Sequence, residues 1–161
     1  MTMFQVSQSA ISLVAATAKS LIEIVPTATG DAKIKSVGFW CKSVTSTDSP
    51  VLVEYGVDMT GGATLTGTTI TAASVPKWNA AHASISATAV VKVTSGGAEG
   101  TWAPLATSND PVVNLYVSPL GGFEVYFPLA EEQYIGPSQI WRLRVTAPQA
   151  QTCAYSVRWE E

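Results

Sequence analysis

The residues that most constrain the fold are 152–159, near the C-terminal end of the sequence. Odd-numbered positions in this segment are apolar and even-numbered ones are small or polar, which is typical of a strand with one face in a core. The apolar residues are Cys153, Tyr155, Val157 and Trp159. A strand so close to a chain end must be held in a sheet, because a loose tail would not need an apolar face. The pattern predicts a β-sandwich that its last strand closes.

Turn signals built from Gly, Pro, Asn and Asp recur along the rest of the chain and separate short segments rich in Val, Ile, Thr and aromatic residues. This spacing predicts an all-β protein, a two-sheet, jelly-roll-like β-sandwich with a C-terminal closing strand. Segments 112–118 and 122–128 are predicted to form a hairpin, because the four-residue connection Pro119-Leu120-Gly121-Gly122 joins them. The clearest predicted strands are 20–26, 33–45, 51–57, 86–94, 112–118, 122–128, 140–146 and 152–159.

Two stretches have less distinct patterns. Residues 10–18 fit either a helical face or an edge strand, and the edge strand is favoured because the segment is too short for a stable helix. Residues 58–85 hold Gly61-Gly62 and many Thr residues. They are predicted to form a long connecting loop, here called the long excursion, with at most a weak strand at 68–72. Long connections in compact domains are often functional.

The chain is long enough for one domain, and we divide it into an N-terminal arm, 1–8, and a single β-sandwich domain, 9–161. The arm has an apolar, uncharged tip. Either it becomes ordered only against a partner, or it extends the first strand along the subunit's own sheet. We predict that removal of residues 1–6 leaves the subunit folded, because this segment has no partner in the alternation pattern, whereas removal of 155–161 destroys folding. The candidate partner-contact residues are Met3, Phe4, Val6 and, in the long excursion, Trp78.

Charged residues make up only 13% of the chain, against about 25% in typical soluble domains. One explanation is a Thr- and Ala-rich β-protein with a weakly charged surface. The other, which we favour, is that much of the surface contacts copies of the chain or a larger assembly, because interface cores are depleted of charge.

Several partners and compartments are not expected. The net charge is −3 and the basic residues are scattered, so we expect no direct nucleic-acid partner. No apolar run is long enough for a membrane span, and the N-terminal residues lack the pattern of a secretory signal. Cys41 and Cys153 fall in predicted strands. They are interpreted as buried thiols in a reducing compartment, with a disulfide as the alternative.

No catalytic, cofactor-binding or metal-binding constellation is recognisable, so we expect no enzymatic activity and no cofactor. The single histidine, His82, has no Cys, His or carboxylate at ligand spacing and is interpreted as a loop or interface residue. Glu23, Glu54 and Glu124 are placed on outward faces. The arginines, Arg142, Arg144 and Arg158, either lie on a solvated outer face or pair with Glu124, Glu131 or Glu132.

The segment GFEVYFPLAEEQYIGPSQIWRLRVTAPQAQTCAYSVRWEE resembles the C-terminal half of small structural proteins of tailed bacteriophages. In those proteins a Gly-Gly-Phe-Glu-Val strand leads to Pro-Leu, an acidic residue and a Gly turn, and the final strand closes with Trp-Glu-Glu. The N-terminal half is less specifically similar, through residues 8–13, 19–25 and 51–54. Gln139-Ile140-Trp141 departs from the Gly-rich entry expected at that point, which bears on a turn.

The resemblance implies a virion structural protein, a capsid decoration or cement protein with a jelly-roll fold. Such a protein is typically a homotrimer that binds the major capsid protein across coat-subunit joints. The implied location is the capsid surface of the virion, after assembly in the host cytoplasm. The alternative is a tail- or head-associated receptor or carbohydrate-binding β-sandwich module, since lectin-type sandwiches use loop aromatics. Trp78 and Trp102 lie in loop-like segments, where tryptophans either pack or bind sugar.

Overall fold

The computed structural model describes residues 2–42, 49–58, 67–78, 87–93, 113–137 and 139–161. These residues form eleven strands and one 3₁₀ turn at Ala72–Ser74. The strands are β1 (Met3–Leu13), β2 (Ala18–Val25), β3 (Ala32–Cys41), β4 (Val51–Asp58), β5 (Thr68–Ile70), β6 (Val90–Val93), β7 (Val113–Val117), β8 (Gly122–Tyr126), β9 (Gln133–Ile135), β10 (Ile140–Thr146) and β11 (Gln151–Glu160).

The strands form two antiparallel sheets that pack face to face. The first sheet has the order β1-β11-β3-β8, and β9 also pairs with β3. The second sheet has the order β5-β6-β2-β10-β4-β7. Every strand pairing is antiparallel. The prediction of an all-β sandwich is confirmed.

The strand order is that of a jelly roll. In a jelly roll, strands of the N-terminal half pair with strands of the C-terminal half to form one long antiparallel ribbon that folds back on itself. The four pairs of this ribbon are β1 with β11, β2 with β10, β3 with β8, and β4 with β7. Two further pairings, β11 with β3 and β10 with β4, close this ribbon into two four-stranded sheets. β5 and β6 extend the second sheet beyond β2.

The C-terminal strand lies between β1 and β3 and therefore closes the first sheet, as the sequence predicts. Each of the eight predicted strands overlaps an observed one. The predicted hairpin is wrong. β7 pairs with β4 and β8 pairs with β3, so the turn at Ser118–Gly121 crosses from one sheet to the other. A short Gly-containing connection does not distinguish a hairpin from a turn that changes sheets.

The division into an arm and a domain needs correction, because residues 3–8 belong to β1 and pair with β11. Phe4 and Val6 are 1% and 4% exposed, and Phe4 stacks on Trp159 at 5.7 Å between ring centroids. Of the two interpretations of this segment, the extension of the subunit's own sheet is the one observed. Removal of residues 1–6 is therefore expected to remove part of the core.

An aromatic cluster occupies the core between the sheets. The Tyr55 ring lies 6.3–6.4 Å from the rings of Trp141, Phe123 and Phe127, measured between centroids. Tyr55 and Trp141 belong to the second sheet and Phe123 to the first. This cluster joins the two sheets at separations where aromatic pairs attract each other.

The placement of Glu23 and Arg142 on a solvated face is wrong. Both side chains lie on the face of the second sheet that points away from the core between the sheets. Even so, Glu23 is 0% and Arg142 is 1% exposed. They are cross-strand neighbours, and the Arg142 Nε donates to Glu23 Oε2 at 3.0 Å. Lys92 follows in the same row, 3.9 Å from Glu23 Oε1. The contacts between opposite charges offset the free-energy cost of removing these side chains from water.

Candidate functional site on the outer face of the first sheet

A recess lies on the solvent side of the first sheet, and its floor consists of small residues. Ser7 and Ser156 form this floor, and Gly38 continues the same row across β1, β11 and β3 beneath the Trp40 ring. Their side chains share the outer face, because Val6, Val157 and Val37 beside them are buried in the core. Side chains of this size leave a depression between the larger groups around them.

Trp40 forms one side of the recess. Its benzo ring lies over Gly38, where an added Cβ would come within 2.4 Å of the Trp40 Cη2. An added Cβ on Gly122, the cross-strand neighbour of Trp40, would come equally close to Cδ1. The two glycines therefore let the indole lie against the sheet, and 37% of Trp40 remains exposed.

Arg158 forms the opposite side and is held by its neighbours. Its Nε donates to Gln5 Oε1 at 3.2 Å, and Gln5 Nε2 donates to Ser156 Oγ at 3.2 Å. Its Nη2 lies 3.9 Å from Glu124 Oε1. The Arg158 Cζ also lies 4.1 Å from the centroid of the Trp78 ring, a cation–π contact. The predicted alternative that arginines pair with Glu124 is thus observed for Arg158.

Trp78 reaches this face because residues 76–78 continue the sheet past β1. Gln5 N donates to Pro76 O at 3.0 Å, and Trp78 N donates to Met3 O at 2.9 Å. Both bonds are on the edge of β1 away from β11. Trp78 remains 53% exposed although it contacts Arg158.

The recess has a volume of about 380 Å³ and is lined by side chains of both polarities. Glu124 and Arg158 carry opposite charges, so together they add no net charge to the recess. A smaller cleft of about 360 Å³ lies on the other side of Gln5, between β1 and residues 74–78. Together these features can hold a small ligand with an apolar face and several hydroxyl groups.

The structure places the four predicted partner-contact residues close together but on different faces. Trp78 and Met3 lie at the outer edge of the first sheet, whereas Phe4 and Val6 are buried. Phe4 and Val6 therefore cannot serve as exposed contact residues. A contact through Met3 and Trp78 stays a prediction. His82 and Trp102 lie outside the described residues.

The two cysteines face each other across β3 and β11 and are free thiols. Burial raises the pKa of Cys41 to about 11 and the pKa of Cys153 to about 12. Thiols with such pKa values hold almost no thiolate at neutral pH and are weak nucleophiles. Cys153 is buried, as the sequence predicts, whereas Cys41 is only partly buried.

A third cleft, of about 380 Å³, lies beside β9 and contains Glu131 and Glu132. Glu132 accepts a hydrogen bond from Lys35 Nζ at 2.8 Å, which lowers the pKa of this carboxyl group. The same bond raises the pKa of Lys35. Within the described ranges, no group of three His, Cys, Asp or Glu side chains is placed to hold a metal ion.

Comparison with protein-family models, with curated proteins and with solved structures found no match to this chain. Among the residues that the structure describes, no helix is long and apolar enough to span a bilayer.

Period-two alternation along β3 puts Trp40 on the face opposite the buried Phe39, but sequence reasoning does not find the recess. The walls of the recess come from β1, β3, β8 and β11, which are distant in sequence. One local signal exists: Gly38 stands two residues before Trp40 on the same face of the strand. A glycine in that position leaves room for a large neighbouring ring.

Proposed function

We propose that this protein is a virion structural protein, a decoration or cement protein of a bacteriophage head. It binds, as a homotrimer, across the joints between coat subunits. The resemblance of residues 122–161 to structural proteins of tailed phages supports this proposal. The jelly-roll strand order also supports it, because the resemblance implies a jelly-roll fold for such a protein.

The observation that carries the proposal is an apolar side of the sandwich, which we call the β7–β9 side. β7 ends the second sheet and β8 ends the first, and the turn at Ser118–Gly121 joins them. β9 continues along the same edge of β3 as β8. Large exposed apolar side chains are concentrated here: Tyr116, Leu120, Leu129 and Tyr134.

This arrangement favours association for two reasons. In the described part of the chain, no strand pairs with the outer edges of β7 and β8, and open edges are templates for pairing with another chain. Exposed apolar groups add a favourable free energy when a partner removes them from water. A protein that binds only the assembled shell also raises the free energy of shell opening by mass action.

Co-sedimentation with phage heads that lack the protein tests the proposal. We expect the wild-type protein to pellet with assembled heads and not with free coat protein. The double variant Tyr116→Ser, Leu120→Ser should lose this binding while its far-UV circular dichroism stays that of the folded wild type. Val14→Ser is the matched control, because Val14 is 61% exposed but lies in the β1–β2 connection.

Two results would contradict the proposal. Wild-type protein that stays in the supernatant at a large excess of heads would exclude capsid decoration. Equal head binding by the double variant and the Val14 control would show that the β7–β9 side does not make the contact.

A further inference from the structure

We propose that the recess between Trp40 and Arg158 binds a neutral sugar ring, a pyranose within a glycan. This inference does not depend on capsid decoration. It rests on three features of the outer face of the first sheet: an aromatic surface, a set of fixed polar groups, and a floor of small residues.

Trp40 supplies the aromatic surface. Gly38 and Gly122 allow the indole to lie against the backbone, so one side of Trp40 contacts the sheet while part of the residue faces solvent. The face of an aromatic ring carries negative charge density, and the C–H groups on one face of a pyranose are weakly positive. A sugar ring laid on the indole therefore gains both apolar burial and electrostatic attraction.

Polar side chains line the recess around its floor. Glu124 accepts hydrogen bonds, Arg158 donates them, and the Ser7 hydroxyl does both. The Glu124 carboxylate presents two oxygens in one plane, which suits a pair of adjacent hydroxyls. Arg158 is fixed in place by Gln5 and by the Trp78 ring, so little side-chain entropy is lost on binding.

The size and charge of the recess indicate the class of ligand. A volume of about 380 Å³ lies at the lower end of the range for small-molecule sites. Arg158 and Glu124 are 3.9 Å apart and balance each other, so a charged ligand gains little net attraction. A neutral sugar fits this balance better than a phosphorylated or sulfated one.

A protein partner is a poorer occupant of this recess. The floor contains Ser7 and Ser156, which carry hydroxyl groups in place of apolar side chains. The β7–β9 side, by contrast, holds the exposed aliphatic residues Leu120 and Leu129. The recess therefore offers hydrogen-bonding groups, which suit a sugar, whereas the β7–β9 side offers apolar groups, which suit a protein partner.

The test uses the full chain on an array of neutral gluco-, galacto- and manno-configured oligosaccharides, with sialylated and sulfated ones for comparison. We expect binding to neutral members only. Titration of the best of them should quench tryptophan fluorescence. Trp40→Ala and Glu124→Gln should each weaken the affinity about tenfold or more, whereas Val14→Ala in the β1–β2 connection should leave it unchanged.

The variants also separate a binding defect from misfolding. Glu124→Gln keeps the size of the side chain and changes only its charge, and Glu124 is exposed, so the melting temperature should not change. The proposal is overturned if no neutral oligosaccharide binds at millimolar concentration, or if sulfated ones bind equally well. It is also overturned if Trp40→Ala abolishes head binding but leaves glycan binding intact, since the recess would then contact protein.

Discussion

The Glu23–Arg142 pair is the residue contact with the clearest energetic consequence. Both side chains are removed from water, so loss of Glu23 takes away the carboxylate that the buried Arg142 guanidinium contacts. We expect Glu23→Ala to lower the free energy of unfolding by about 3–5 kcal/mol. Urea denaturation measures this difference, and the double change Glu23→Leu, Arg142→Met should recover most of it.

Glu54 provides the control for this prediction. It lies 3.7 Å from Arg144 on the same sheet, but both side chains are partly exposed. Glu54→Ala should cost no more than about 1 kcal/mol. If Glu23→Ala were as mild as Glu54→Ala, the pair would not be held in a dry environment.

Glu132 gives a pH dependence whose sign follows from its pKa. The hydrogen bond from Lys35 lowers the pKa of the Glu132 carboxyl group below 4.5, so the folded state favours the ionised form. The resulting stabilisation is present at neutral pH and is lost as the pH falls through that lowered pKa. The melting temperatures of wild type and Glu132→Gln should therefore differ most near pH 7 and converge once the pH falls below that lowered pKa.

At the scale of elements, the contribution of β1 to the stability of the fold is the one that the sequence pattern underestimates. Phe4 packs on Trp159 of β11, so the first strand secures the closing strand. We expect Phe4→Ala to lower the free energy of unfolding by about 3–5 kcal/mol. Met3→Ala, on the outer face of the same strand, should change it by less than about 0.5 kcal/mol. Equal effects in thermal denaturation would contradict the buried position of Phe4.

The irregular pattern of β1 explains why sequence analysis divided this segment. Phe4 and Val6 are apolar at even positions, whereas Ile11 and Leu13 are apolar at odd positions. A bulge between Gln8 and Ile11 shifts the register, and Ala10 within it has a φ of 61°. One strand therefore has two phases of alternation, which a period-two pattern cannot join.

At the scale of the whole molecule, the two open sheet edges favour self-association, and the resemblance to decoration proteins implies a trimer. We expect light scattering at micromolar concentration to give three times the 16.9 kDa subunit mass. The double variant Tyr116→Ser, Leu120→Ser should move toward the monomer, because it removes apolar side chains from the β7–β9 side. A wild-type protein that is monomeric under these conditions would contradict the trimer.

The sequence by itself determined the fold class and the position of most strands. Alternation in 51–57, 140–146 and 152–159 is a local property, since neighbouring side chains of a strand point to opposite faces. The closing role of the last strand followed from the same pattern.

Only the tertiary structure decided which strands pair and which outer faces are covered. The turn at Ser118–Gly121 changes sheets, and Glu23 and Arg142 are buried on a face that alternation assigns to solvent. The recess beside Trp40 likewise needs β1, β3, β8 and β11 to be neighbours. Pairing and coverage depend on contacts between residues far apart in sequence, about which a local pattern of polarity carries no information.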